Sequence, residues 1–157
     1  MQNRENIKTI GVYVQVSNSA SDQTSSYESQ IRHYKDEIQK RPDWQLYRIY
    51  ADEVKSGASF KHRRSFKKMI RDCKEHKINL ILTKDFLCFS SDLIDRISHI
   101  EMLSNLTPPV GILFESEQIY TLDSNGKEFV KFLETLAYEE TTSKSYAIKA
   151  TISMRTK

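Results

Sequence analysis

Four polar residues follow four apolar, β-branched runs. Ser17 follows TIGVYVQV (9–16), Asp52 follows WQLYRIYA (44–51), Lys84 follows INLILT (78–83) and Glu115 follows VGILF (110–114). If the runs are parallel strands, a hydroxyl, two carboxylates and an amine share the carboxyl edge of one sheet, where ligands and chemistry gather in open α/β folds. Ser17 stands out, with Gln15 two residues before it and a long Ser-rich polar stretch after it. On these residues alone it reads equally well as a site residue, a loop residue or a local helix cap. Missing patterns narrow the chemistry. No GxSxG elbow makes Ser17 a hydrolase nucleophile. The four glycines form neither GxGxxG nor GxxxxGK[ST], which argues against the usual nucleotide sites. HExxH and CxxC are absent, His33 and His62 are isolated, and His76 and His99 read as helix-surface residues. Cys73 and Cys88 lack ligand spacing and read as reduced thiols. Neither a metal nor a cofactor is expected.

The elements that must position these residues alternate. After the first strand, Ser25-Ser26-Tyr27-Glu28 carries Ser-x-x-Glu, a capping-box pattern, and Ile31, Tyr34 and Ile38 follow at helical spacing over roughly 26–41. A charged loop over 52–64, containing Ser56-Gly57, leads to a helix from Ser65 with Phe66, Met69, Ile70 and Cys73 on one face. Ser90-Ser91-Asp92 can cap a third helix, and Pro108-Pro109 stops it. A polar loop follows the fourth strand, Asn125-Gly126 reads as a turn, and from Lys127 the pattern is helical almost to the end. Strands alternating with helices predict an α/β fold with right-handed crossovers and a three-layer α/β/α arrangement around a mostly parallel sheet of four to five strands. The chain of 157 residues suits one compact domain, divided into a body over 1–125 and a long C-terminal helix over 126–157. With 29% charged and 38% hydrophobic residues it reads as a globular chain. It has neither an apolar signal core nor a run of about 20 apolar residues, so a cytoplasmic location is expected. The formal charge of +3 permits nucleic-acid binding without arguing for it. The basic run KHRRSFKKMIR (61–71) reads first as a solvated helix face.

Five stretches in order resemble the catalytic domain of the serine site-specific recombinases, the resolvase/invertase family. Tyr13-Val14-Gln15-Val16-Ser17 is similar to the family's Tyr-x-Arg-Val-Ser, and Ser26-Tyr27-Glu28-Ser29-Gln30 to its Ser-Leu-x-x-Gln. Asp52 through Ser56-Gly57 to Arg63 resembles its Asp-x-x-x-Ser-Gly loop with a following arginine. Lys84 to Asp92 lies where the family has Lys-x-x-Ser-Arg-x-x-Arg-Asn. Phe114-Glu115, Tyr120-Thr121-Leu122-Asp123 and Ala137-Tyr138-Glu139-Glu140 resemble the loop and long helix of larger members.

The resemblance implies a resolvase-like fold and a metal-free transesterification. Ser17 would be the nucleophile that attacks a DNA phosphodiester, forming a 5′-phosphoserine link and freeing a 3′-hydroxyl. It implies site roles for Gln15, Asp52, Ser56, Arg63 and Lys84, and DNA contacts from Lys61, Arg64, Lys144, Lys149 and Arg155. It also implies a dimer or tetramer through the C-terminal helix, and association with the nucleoid when DNA is bound. The departures matter as much. Gln15 replaces the arginine before the serine, and Cys88 and Ser91 replace two more. A neutral amide cannot supply the charged, bidentate fork of a guanidinium. A feeble or inactive catalyst is therefore expected, with an active recombinase using rearranged cations as the alternative. A dimerising or regulatory partner of an active recombinase is the second reading, and a flavodoxin-like or receiver-type binding domain the third.

Overall fold

The computed structural model describes residues 7–17, 23–54, 63–87, 89 and 92–155, with the side chains of 17, 23–26, 54 and 140–155 outside the description. Five strands, β1 (Lys8–Ser17), β2 (Trp44–Val54), β3 (Leu80–Thr83), β4 (Gly111–Phe114) and β5 (Ile119–Tyr120), form one sheet in the order β2-β1-β3-β4-β5. The first four are mutually parallel and β5 runs antiparallel to β4. Four helices complete the fold: α1 (Gln23–Gln39), α2 (Arg64–Lys74), α3 (Leu93–Ser104) and α4 (Ser124–Arg155). The expected mostly parallel α/β sheet is observed, and its fifth strand comes from a segment that reads as polar loop. Two residues are too short for a period-two pattern to show.

Central strand β1 is buried on both faces, which its residue types require. Ile10, Val12 and Val14 meet Tyr34 and Ile38 of α1, together with Leu80 and Leu82. On the opposite face Tyr13 joins a larger cluster with Phe66, Met69 and Cys73 of α2, Ile97 and Ile100 of α3, and Leu133 of α4. One layer is thus α1 alone, and the other is built from α2, α3 and α4. Most of the core lies in this thicker layer, and each large apolar side chain buried there contributes about 1.5–3 kcal/mol relative to exposure.

Edge strand β2 changes parity midway. Ile10 pairs with Leu46 but Gly11 pairs with Arg48, so Tyr47 is an extra, bulged residue. The bulge lets Trp44 and Leu46 before it, and Ile49 and Ala51 after it, all reach the α1 layer. It also leaves Tyr50 and Asp52 on the thick-layer side.

Three boundaries differ from the sequence expectation. Asp52 lies inside β2, because the strand continues alongside β1 to Val54. Helix α1 begins at Gln23, so Ser-x-x-Glu sits within its first turns and not at its cap. Asn125-Gly126 is the first turn of α4, not a loop. The Asp123 carboxylate accepts the Gly126 N–H at 2.7 Å and so caps the helix. A Cβ on Gly126 would overlap the Tyr120 carbonyl oxygen, so this turn-type residue is here a close-packing one.

Strand lengths create a step at the carboxyl edge of the sheet. β3 pairs only with Ile10–Tyr13 of β1, and the Thr83 hydroxyl closes that pairing with a 3.1 Å bond to the Tyr13 carbonyl. Beyond it, β1 and β2 run on together as a two-stranded ribbon from Val14 to Ser17 and Ala51 to Val54. The sheet order reverses direction between β1 and β3, so this step lies at the topological switch point.

Candidate active site

The site is built around the ribbon. Gln15 pairs with Asp52 across the two strands, and Ser17, the last residue of β1, pairs with Val54. The Asp52 carboxylate reaches forward to the start of α2. One oxygen accepts the Ser65 N–H at 3.0 Å, and the other accepts the Phe66 N–H at 3.0 Å and the Tyr13 hydroxyl at 2.9 Å. Two orphan donors of the helix N-terminus are thereby satisfied, and a negative charge meets the positive end of the helix dipole. Arg63 stands at the N-cap position itself but provides no side-chain cap. Asp52 therefore anchors α2 from a neighbouring strand.

This anchor fixes Arg63. Its side chain is buried at 7% exposure, and its guanidinium lies 3.6 Å from the centre of the Phe66 ring. Nε donates to the Tyr13 hydroxyl at 3.3 Å and Nη2 donates to the Phe89 carbonyl. Tyr13 thus bridges cation and carboxylate, accepting from Arg63 while donating to Asp52. Burial pushes its phenol up to about 12, against the pull of the Arg63 charge. The phenol stays neutral and the bridge stays intact at physiological pH.

Gln15 occupies the remaining wall. Its Nε2 is buried and has no hydrogen-bond partner among the described residues, while its amide lies near enough to the Tyr13 oxygen to favour the ionised phenol slightly. A buried donor left without a full partner costs about 1–3 kcal/mol.

Behind the site, aromatic rings hold the loop after β3. Phe66 packs edge-on against Tyr13, Phe89 and His99 with centroid distances of 5.2, 5.1 and 5.1 Å. His99, read as a helix-surface residue, is half-buried in this cluster because its place on α3 faces Phe66 and Phe89. Arg96 of α3 is also buried, lies 4.8 Å from the Phe86 ring centre and is near Asp92, Asp85 and Asp95. Burial lowers its pKa and these carboxylates oppose the shift. The Glu117 carboxylate accepts the Phe86 N–H at 3.2 Å, tying the turn after β4 to the same loop.

The residues expected at the site divide into three groups. Gln15, Asp52 and Arg63 meet around Tyr13. Lys84 and Arg64 are exposed, and among the described residues neither side chain bonds to that trio. Ser56 and Lys61, with Cys88 and Ser91, lie outside the described residues, as do the side chains of Ser17, Lys144, Lys149 and Arg155. Glu115 is drawn elsewhere, to a 2.8 Å contact with His33 of α1. Sequence reasoning missed Tyr13, Phe89 and Arg96 as organisers. Tyr13 had a legible signal, since in a strand it shares a face with Gln15. Phe89 acts through its backbone carbonyl and had none.

Among the described residues, the arrangement presents one fixed guanidinium, one carboxylate and one neutral amide beside the strand end that carries a serine. It has the geometry of an electrostatic wall, with its cation committed to internal partners. Comparison with known proteins places the fold. The crystal structure of a resolvase family site-specific recombinase from Streptococcus pneumoniae aligns with a TM-score of 0.73 at 21% identity, covering 96% of this chain and 99% of that one. The N-terminal catalytic domain of TP901-1 integrase gives 0.69 at 18% identity, covering 87% and 99% respectively. The C-terminal catalytic domain of ISC1926 TnpA, an IS607-like serine recombinase, gives 0.54 at 14% identity, covering 82% and 98%. These identities speak to the fold alone. No curated protein matches the sequence. The sequence model of the resolvase N-terminal domain matches residues 10–157, so the chain belongs to the resolvase family of serine recombinases.

Proposed function

We propose that this domain performs DNA strand transfer with Ser17 as nucleophile, slowly, because Gln15 stands where the family pattern has an arginine. In the step proposed, the Ser17 oxygen forms a bond to phosphorus while the bond from phosphorus to the 3′ oxygen breaks. The serine proton is lost and the leaving oxygen is protonated, so charge is conserved. Rejoining runs the same exchange backwards. Negative charge builds on the non-bridging oxygens, and fixed donors aimed there lower the barrier.

Gln15 carries the reading of a slow catalyst. It stands where the family pattern has arginine, beside Asp52 and Tyr13, with a buried and under-bonded amide nitrogen. Arg63 does not replace the missing fork, since it is held by Phe66, Tyr13 and the Phe89 carbonyl. Loss of one preorganised donor costs on the order of 10²–10³ in rate. Asp52 and Tyr13 act here as positioning residues for Arg63, not as groups that touch phosphate.

A second reading, a partner that associates through α4, is favoured by Phe132 at 59% and Tyr138 at 74% exposure, with Leu136 also exposed. A nicked suicide half-site tests the first reading. A covalent protein–DNA adduct that needs Ser17 supports it, and the rate grades the catalyst. Complete absence of adduct, with self-association lost in Phe132→Glu, favours the partner role.

A further inference from the structure

The outer face of α2 carries a feature that the site does not use. Arg64, Lys67, Lys68, Arg71 and Lys74 are all exposed, while Phe66, Met69, Ile70, Asp72 and Cys73 are buried. At 3.6 residues per turn, the five cations fall on one stripe opposite the core. The helix's single acid, Asp72, is buried and accepts from the Tyr50 hydroxyl, so it does not neutralise the stripe. Among the described residues no ion pair involves any of the five. The whole chain carries only +3, so the charge is concentrated here.

A merely solvated face would be composed differently. The first turn of α2 holds no acidic residue, and Arg64 and Lys67 place positive charge at the positive end of the helix dipole. Arg64 and Lys68, and Lys67 and Arg71, are like-charge neighbours at i,i+4, which disfavours the isolated helix. Arg71 and Lys74, in the last turn, suit the helix dipole, but the N-terminal cations and the like-charge pairs act against the helix that bears them, and a polyanion would relieve both of these costs. Its first residue directly follows Arg63, so the stripe is continuous with the candidate site. From Arg64 to Lys74 it runs about 15 Å, or about four base-pair steps at 3.4 Å each.

We propose that this face is a contact surface for the phosphate backbone of duplex DNA, sequence-independent and adjacent to the point of strand transfer. It rests on the DNA-directed reading above. The test is fluorescence anisotropy of the full chain with a labelled duplex of arbitrary sequence between 50 and 200 mM KCl. Each phosphate contact adds about 0.9 to the slope of log K against log salt. The Lys67→Gln/Lys68→Gln/Arg71→Gln variant is expected to lower that slope by about 2–3 and to weaken binding about 10- to 100-fold at low salt. Lys68→Gln alone should lower it by about 1, which keeps the test open if the triple variant folds poorly. The control, Arg32→Gln/Lys35→Gln/Lys40→Gln, removes equal charge from exposed positions on and just after α1, in the opposite layer, and should leave the slope unchanged. Equal losses in both triple variants would reduce the effect to net charge and overturn the proposal. An unchanged slope in the α2 variants would overturn it too, leaving the strand-transfer reading intact. Failure of the wild-type chain to bind duplex at all would remove both.

Discussion

Replacing Gln15 by arginine tests the account of the site most directly. The position faces Asp52 across the ribbon, and its present amide nitrogen is buried with no hydrogen-bond partner among the described residues. A guanidinium there would bring five donors and a fixed charge. Asp52 accepts three hydrogen bonds from Ser65, Phe66 and Tyr13, and a carboxylate has about four acceptor sites, so one donor of the new side chain can be anchored there. The outer edge of the fork then faces the ribbon end. One such donor is worth about 10²–10³ in rate, but effects within one site are far from additive. With Cys88 and Ser91 unchanged, a gain of about 10- to 100-fold in adduct formation is expected. The assay is single-turnover trapping on the nicked half-site, resolved on denaturing gels, with Ser17→Ala as background and circular dichroism to confirm folding. A folded Gln15→Arg protein that forms adduct no faster than wild type would refute the reasoning. So would a wild-type rate matching a fully armed recombinase, since the missing charge would then be supplied elsewhere.

Other consequences concern stability. Asp52→Ala removes two caps on α2 and takes away the acceptor of the Tyr13 hydroxyl proton, so a loss of about 2–4 kcal/mol is expected in urea unfolding; a loss below about 0.5 kcal/mol would deny the anchor. Burial pushes the Tyr13 phenol up to about 12 and likewise raises Tyr50, against 10.0 for the free side chain. The neutral forms are favoured in the fold, so their contribution is complete below pH 10 and fades as pH rises from 10 toward 12. Alkaline titration followed by tyrosine absorbance should show late-titrating phenols that normalise on unfolding. Gly126→Ala should lower the Tm, although alanine favours helices by about 1 kcal/mol over glycine, because the added Cβ meets the Tyr120 carbonyl. A raised Tm would contradict that packing.

The fold was readable where period and composition agreed. Ile10, Val12 and Val14 alternating with Tyr13 announce a strand, and Phe66, Met69, Ile70 and Cys73 announce a helix face. The readings that slipped share one cause. Gly126 and Asn125 are turn types by composition, and only the approach of β5 explains their place in a helix. His99 sits on a surface-like stretch of α3 until Phe66 and Phe89 arrive from other elements. Asp52 reads as a loop residue, and only its three donors show it to be an anchor.

By itself, the sequence determined the alternation of the four parallel strands with the helices, the mostly parallel character of the sheet and the family pattern around Ser17 and Gln15. These depend on side-chain periodicity and on residue types at short spacing, which are local properties. Tertiary structure alone decided that Arg63 is clasped by Tyr13, Phe66 and the Phe89 carbonyl, that Asp52 holds α2 in place, and that the cations of α2 share one outward stripe free of acids. Each depends on groups far apart in the chain, or on which helix face the core claims, and burial and hydrogen-bond geometry settle such questions only once the chain has closed.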